Sequence, residues 1–453
     1  MAELNTYDLP YQSDPTRLFS LIKHLPWSQL LDSGNYPGER GRYDILVADP
    51  KFKVTSQDGN IFVEQENNQI IKQHKDVFET LRALLDQPIH NNTDLPFYGG
   101  ALGYFGYDIL TSNPQKNAKP NLHKIPDLAI GIYYWAIVND HKQHKTTFIT
   151  SEKNNPILDS LIADLSITAK DTKSVAPISI DRLFVDTDKE AYKNSFNKIQ
   201  NYLTEGDCYQ INYARCFHAD AKGSPWESYK QVRKNNPTPF AAYLNFPFGQ
   251  ILCSSPERFL KVKDQKVESR PIKGTRPRSS DPTKDNLLYQ ELLNSDKDKA
   301  ENLMIVDLLR NDLGKSCIPG SIHVPELFSI ESYPTIYHLV SSVVGTLANN
   351  KSSLDLLKDS FPGGSITGAP KKRAIEIIDE LEVFQRGIYC GAIGYINFDG
   401  TMDTNIAIRT LIMSEGKLSF SVGGGIVSDS DADQEFQETL DKARAYFDLL
   451  GKS

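Results

Sequence analysis

Tryptophan, methionine and cysteine are scarce in this chain: three, four and five residues among 453. The cysteines (Cys208, Cys216, Cys253, Cys317 and Cys390) are odd in number and form no CxxC pair. Reduced, buried thiols are therefore expected, rather than a disulfide frame or a thiolate zinc site. Positive charge is also short. Fifty Lys and Arg stand against 58 Asp and Glu, a net charge of -8. That balance argues against nucleic acid as a partner, because duplex binding needs dense neutralisation of phosphates. The densest basic cluster, Lys371-Lys372-Arg373, reads as a solvated helix start. No stretch approaches the ~20 apolar residues of a membrane span. The opening Met-Ala-Glu-Leu-Asn-Thr-Tyr lacks the basic and apolar segments of a secretory signal. These absences predict a cytoplasmic protein with no nucleic-acid or membrane partner.

Hydrophobic residues make up 39% and charged residues 24%, the balance of a globular chain, and the length suits two domains or one large intertwined unit. Leu18, Leu21, Ile22 and Leu25 are spaced for a helix that Pro26 ends. Residues 43–47 and 130–138 read as strands. The segment 99–107, rich in glycine and aromatics, suits a strand where backbones come close; a phosphate loop would need a following Lys-Ser/Thr and a helix start. Residues 166–186 read as a polar linker. Thr187 and Glu190 then form a capping box ahead of Tyr192, Phe196, Ile199 and Leu203. A boundary near 180 separates an N-terminal region, 1–180, from a C-terminal region, 181–453.

Several groupings could carry chemistry. Asp298 and Glu301 are i, i+3 neighbours on a predicted helix. A second helix, from about 432 to 450, has Phe436, Leu440, Ala443, Phe447 and Leu450 as its buried stripe, with Glu435, Glu438 and Lys442 beside it. Two such acidic faces can hold a hard cation, or can simply be solvated. Arg409 falls in an apolar run, 405–413, that reads as a buried strand; a charge there needs an anion, from the protein or from a ligand. Gly423-Gly424-Gly425 and the stretch 362–371, with Thr367 and Gly368 before a helix, can turn amides toward negative charge, although tight turns also explain such runs. Lys273 lies in Pro271-Ile-Lys-Gly-Thr-Arg-Pro-Arg278. A lysine is ordinarily a solvated cation. As a nucleophile it must be neutral, so burial or nearby cations must lower its pKa from ~10.4; Arg270, Arg276 and Arg278 are close in sequence.

Six ordered strings carry a resemblance: Gly206-Asp-Cys-Tyr-Gln-Ile-Asn212, Ser254-Ser-Pro-Glu257-Arg-Phe, the Lys273 segment, Ala300 to Gly314, Phe361 to Lys371, and Gly391-Ala-Ile-Gly-Tyr395. In this order they resemble the chorismate-utilising enzymes, a family that includes the anthranilate, aminodeoxychorismate, isochorismate and salicylate synthases. The resemblance implies an α+β fold of two intertwined parts, with sheets packed face to face and helices outside. It implies Mg²⁺ on Glu301 and Glu438, and a chorismate carboxylate gripped by Arg409 and the amides of Gly423, Gly424 and Gly425. Tyr395 and Lys442 would lie nearby, Thr367 and Gly368 would line the pocket, and His338 would lie against the substrate. Glu257 would be the acid that protonates the departing C4 hydroxyl.

Within this family, anthranilate synthases typically have alanine where this chain has Lys273. A lysine there resembles the aminodeoxychorismate branch, which aminates chorismate at C4 through a covalent lysine intermediate, and Asn212 points the same way. The branch implies ammonia from a glutamine amidotransferase subunit, and a role in 4-aminobenzoate and folate biosynthesis. Anthranilate synthase component I is the alternative. Leu30-Leu31-Asp32-Ser33 resembles the Leu-Leu-Glu-Ser beside which some members bury tryptophan, making Ser33 a candidate tryptophan-site residue.

Overall fold

The computed structural model describes residues 2–451 except 35, 37, 66–68, 74–75, 88, 92, 111–118, 154, 167–174 and 334–335. Of the expected linker, 167–174 thus lie outside the described residues. Two large antiparallel sheets, of twelve and thirteen strands, dominate the structure. The first runs from the edge strand Ile272–Pro277 through 336–346, 266–270, 258–263, 402–405, 392–397, 100–105 and 128–133 to 52–57, 60–65 and 70–73. Gln210–Lys222 and Lys417–Ile426 are the long neighbours in the second, which also holds 410–414, 249–255, 240–246, 29–32, 43–47, 135–140, 145–150 and 5–9. Both sheets draw strands from either side of residue 180.

The sheets pack face to face because their strands are apolar on both sides. Along Trp135–Asp140, Trp135 and Ile137 join a core with outer helices, while Ala136 and Val138 join one shared with the other sheet. The inter-sheet core collects Tyr104, Ala129 and Ile393 from the first sheet and Ala242, Leu244, Ile251 and Ile412 from the second. Helices 77–85, 296–314 and 353–360 cover the outer face of the first sheet, and 15–22, 225–235 and 432–449 that of the second. This is the expected α+β arrangement. All five cysteines are free and buried. Among the described residues, no helix is long and apolar enough to cross a membrane.

Several expectations change in detail. The run 130–138 is two strands, 128–133 and 135–140, because the chain leaves the first sheet for the second at Tyr134. Asp188, not Thr187, caps helix Lys189–Thr204, its carboxylate accepting from Ala191 N. On helix Ala432–Leu449 the buried residues are Glu435, Thr439, Ala443 and Tyr446; Phe436, Leu440 and Phe447 pack half-buried beside them. Lys371 is not solvated: its ammonium is half-buried against the Asp312 carboxylate and Ser360 O.

Candidate functional site

Two corners where the chain passes between the sheets position the chemistry. Glu257 lies between strands Gly249–Ser255 and Arg258–Lys263, which belong to different sheets. Arg409 ends the reverse passage, from Met402–Asn405 to Thr410–Ser414. The run 405–413 is therefore broken rather than one strand, and Arg409 takes a left-handed conformation at φ 51°. The corners are stitched together: Ile406 N donates to Glu257 O at 3.0 Å, and Ser255 Oγ to Ile406 O at 2.6 Å.

Lys273 projects from the edge strand Ile272–Pro277 of the first sheet. Its Nζ donates to Ser365 O at 3.3 Å. The next residue, Gly274, has φ +77°, and a Cβ there would lie 2.8 Å from the Asp298 carboxyl carbon; only glycine fits without a shift. Burial lowers the Lys273 pKa, aided by Lys442; Glu301, Glu257 and Glu438 oppose the shift. The three arginines of its segment have little part in this. Arg270 pairs with Glu326 and Glu331, Arg276 with Glu291 and Asp298, and Arg278 with Asp285. Their charges are spent on these carboxylates, so desolvation is the principal cause.

Glu257 is 5% exposed. Burial raises its pKa to about 7, against the hydrogen bond from the Ser365 side chain and the charge of Lys273. A carboxyl poised there can hold a proton at neutral pH and give it up. Ser365 thus serves both groups, its carbonyl holding the amine and its hydroxyl the acid. The sequence analysis quoted Ser365 only within a string; nothing in its spacing distinguishes a serine that bridges two other side chains.

Arg409 and His338 form the next part. Among the described residues, no carboxylate pairs with the Arg409 guanidinium. His338 is 2% exposed; its Nδ1 lies 2.8 Å from Thr275 Oγ1, and Nε2 has no partner. Burial, then the Arg409 charge, lowers its pKa to about 3, so the ring is neutral. A half-buried cation without a carboxylate and a buried ring nitrogen without a partner are each costly unless a ligand satisfies them.

The triple glycine is not a loop. Gly423, Gly424 and Gly425 lie in strand Lys417–Ile426 opposite Ala214, Tyr213 and Asn212. Pairing with the other neighbour stops at Phe420, opposite Leu411, so the run has one open edge. Lys442 Nζ reaches Gly423 O at 2.9 Å and the Glu438 carboxylate at 2.6 Å. A Cβ on Gly424 would point at Glu435, Glu438 and Lys442, 3.4 to 3.8 Å away. The second glycine stretch is likewise committed. Thr367 Oγ1 donates to Gly363 O, and Gly368 and Ala369 pair with Ile211 and Gln210. The Thr367 hydroxyl is therefore used internally, and Gly368 is held by strand pairing.

Glu301 and Glu438 come close enough to influence each other and Lys273. Burial raises Glu301; Glu438 is held below the usual range because Lys442, Lys273 and Lys297 outweigh its burial. Glu435 is raised by burial beside Glu438. Among the described residues no group of three His, Cys, Asp or Glu is arranged to hold a metal. Two carboxylates nevertheless fit Mg²⁺, which takes one or two from protein and fills its other positions with water and substrate oxygens.

Tyr395 does not join this group. In strand Ala392–Asn397 its ring packs on Phe97 at 5.4 Å. It lines a cavity of about 430 Å³ with Asp32, Ser33, Arg42, Tyr43 and Phe240. Strand alternation turned this side chain toward the inter-sheet space. Ser33 Oγ donates to Asp44 Oδ1 at 2.9 Å, and Asp32 is turned to Arg233 and Tyr229.

A protein-family profile described as chorismate binding enzyme matches residues 30–448. The chain is 42% identical over 441 residues to aminodeoxychorismate synthase component 1 of Escherichia coli K12, covering 96% of this chain and 95% of that protein. It is 32% identical over 453 residues to anthranilate synthase component 1 of Aquifex aeolicus, covering 95% and 91%. The crystal structure of anthranilate synthase component I from Streptococcus pneumoniae TIGR4 superposes with a TM-score of 0.79 at 30% identity, covering 90% of this chain and 92% of that one. With a match across nearly its whole length, this chain belongs to the chorismate-binding enzyme family.

Proposed function

We propose that this enzyme aminates chorismate at C4, giving 4-amino-4-deoxychorismate for 4-aminobenzoate and folate synthesis. The observation that carries the reading is a half-buried lysine with a lowered pKa sharing Ser365 with an acid whose pKa is about 7. Arg409, the neutral His338 and the open glycine edge would hold substrate carboxylates. Glu301 and Glu438 would hold Mg²⁺, which supplies counter-charge to the ring carboxylate when bound.

In the first step the neutral Lys273 amine forms a bond to C2. The ring double bonds shift, the C4–O bond breaks, and the hydroxyl leaves as water with the proton of Glu257. In the second, ammonia forms a bond to C4 as the C2–N bond breaks, returning the free amine of Lys273, and the new C4 ammonium gives one proton back to Glu257. An amino group has replaced the C4 hydroxyl with release of one water, and two allylic steps have replaced one awkward substitution. We infer that the ammonia comes from a glutamine amidotransferase subunit, consistent with the "component 1" in the names of the similar proteins. The Ser33 cavity is proposed as an amino-acid pocket of tryptophan size, supported by its aromatic walls and its charged rim.

Incubation with chorismate, Mg²⁺ and ammonium, followed by mass analysis, tests the reading. The expected product retains the enolpyruvyl group and gains nitrogen. Anthranilate with pyruvate, or nitrogen-free isochorismate, would overturn it. A second outcome concerns binding. Arg409→Ala removes a bidentate carboxylate partner and is expected to raise the KM for chorismate about thirtyfold, a loss of ~2 kcal/mol; steady-state kinetics at saturating ammonium checks this.

A further inference from the structure

Arg386 is the largest of the fully buried side chains, 1% exposed. It stands outside the reacting group, yet all its bonds lead back there. Nε and Nη2 donate to the two oxygens of Glu382 at 2.9 and 2.7 Å. Nη1 donates to Ile366 O at 2.9 Å, and Nη2 to Asn212 O at 2.7 Å. Glu382 is equally buried and accepts in turn from Ala214 N at 2.9 Å. The pair thereby joins the end of helix Lys371–Leu381, the strand Gln210–Lys222 and the turn Gly364–Ile366. Tyr107 covers the guanidinium, its ring centre 4.6 Å away.

A buried ion pair is a poor device for stability alone, since hydrocarbon of the same volume serves as well or better. Its geometric effect is specific. Ile366 follows Ser365, whose carbonyl seats Lys273 Nζ and whose side chain bonds Glu257. Asn212 N donates to Thr367 O at 2.8 Å, so the turn is gripped on both sides of Ile366. We propose that the Arg386–Glu382 pair is a positioning element for the amination step, fixing the Ser365 turn so that amine and acid are held in register. This rests on reading Lys273 and Glu257 as the reacting amine and acid.

Two variants test it in the full-length chain, with chorismate, Mg²⁺ and ammonium. Arg386→Lys keeps the buried charge, but one ammonium cannot span Glu382, Ile366 O and Asn212 O. The expected result is a kcat lower by about tenfold or more, the order that small misplacements of reacting groups produce. The KM for chorismate should stay within about twofold, because Arg409 and His338 are untouched. The double variant Arg386→Met/Glu382→Met removes both charges and should show the same split between kcat and KM. Either variant folded and with wild-type kcat would overturn the proposal, as would a loss confined to KM. A double variant that cannot fold would assign the pair to stability and overturn it too. Lys273→Ala is run in parallel: turnover retained there sinks the underlying reading, whereas turnover retained only in Arg386→Lys sinks the positioning role.

Discussion

Replacing Lys273 by alanine is expected to lower glutamine-dependent amination by about a thousandfold, measured with an amidotransferase subunit present. The size follows from loss of the covalent route: a missing nucleophile typically costs a factor of a thousand or more. Binding should survive, since Arg409, His338 and the glycine edge do not touch the lysine chain. The KM for chorismate is therefore expected to change little. Unchanged turnover in this variant would remove the covalent role. The amine is suited to attack because burial works against its charge, although the nearby Glu301, Glu257 and Glu438 favour that charge. The balance lowers the lysine's pKa despite the carboxylates around it.

Glu257→Gln is expected to lower kcat by a factor on the order of a hundred to ten thousand, the range of a lost general acid. The pH profile gives the sharper check. Burial raises this carboxyl to about 7. Since the protonated form is the active one, wild-type kcat should fall as pH rises through that value. The amine acts in its deprotonated form, so Lys273 limits the acidic side and the profile is bell-shaped, with apparent values that belong to the pair. In Glu257→Gln the alkaline limb should vanish while the acidic limb remains. A limb near 7 that persists in the variant would assign it to another group.

Much of this site was legible in the sequence because its residues sit in ordered strings. Glu257, Glu301 and Glu438 do lie near enough to Lys273 to act on its charge, and Arg409 acts on His338. What the sequence withheld are properties of the packing around them. Arg409 lies in an apolar run whether the chain continues straight or turns a corner, and only the second happens. Three glycines permit a loop, yet their freedom here serves a strand edge against the helix bearing Glu438. The arginines around Lys273 are neighbours along the chain but are drawn off by Glu326, Asp298 and Asp285 on other elements. Tyr395 follows the strand's alternation into the inter-sheet space, and no spacing rule says which face that is. Arg386, in a polar stretch after a helix, gives no sign of being the largest fully buried side chain.

The two corners have a consequence for how the enzyme comes into being. Glu257 and Arg409 sit on the segments that cross from one sheet to the other, while Lys273 is held at the rim of the first sheet and Glu438 on a helix packed against the second. Neither sheet alone contains a working site. During refolding, the backbone ladders and the outer helices can assemble without any catalytic power. Activity should return only when the two layers dock, because the acid and the arginine sit on segments that cross between the layers, tied to each other by the Ile406–Glu257 and Ser254–Arg409 backbone hydrogen bonds. Catalysis is in this sense a proofreading mark: a chain that turns over substrate has completed its last long-range step, and a chain stalled before it remains inert.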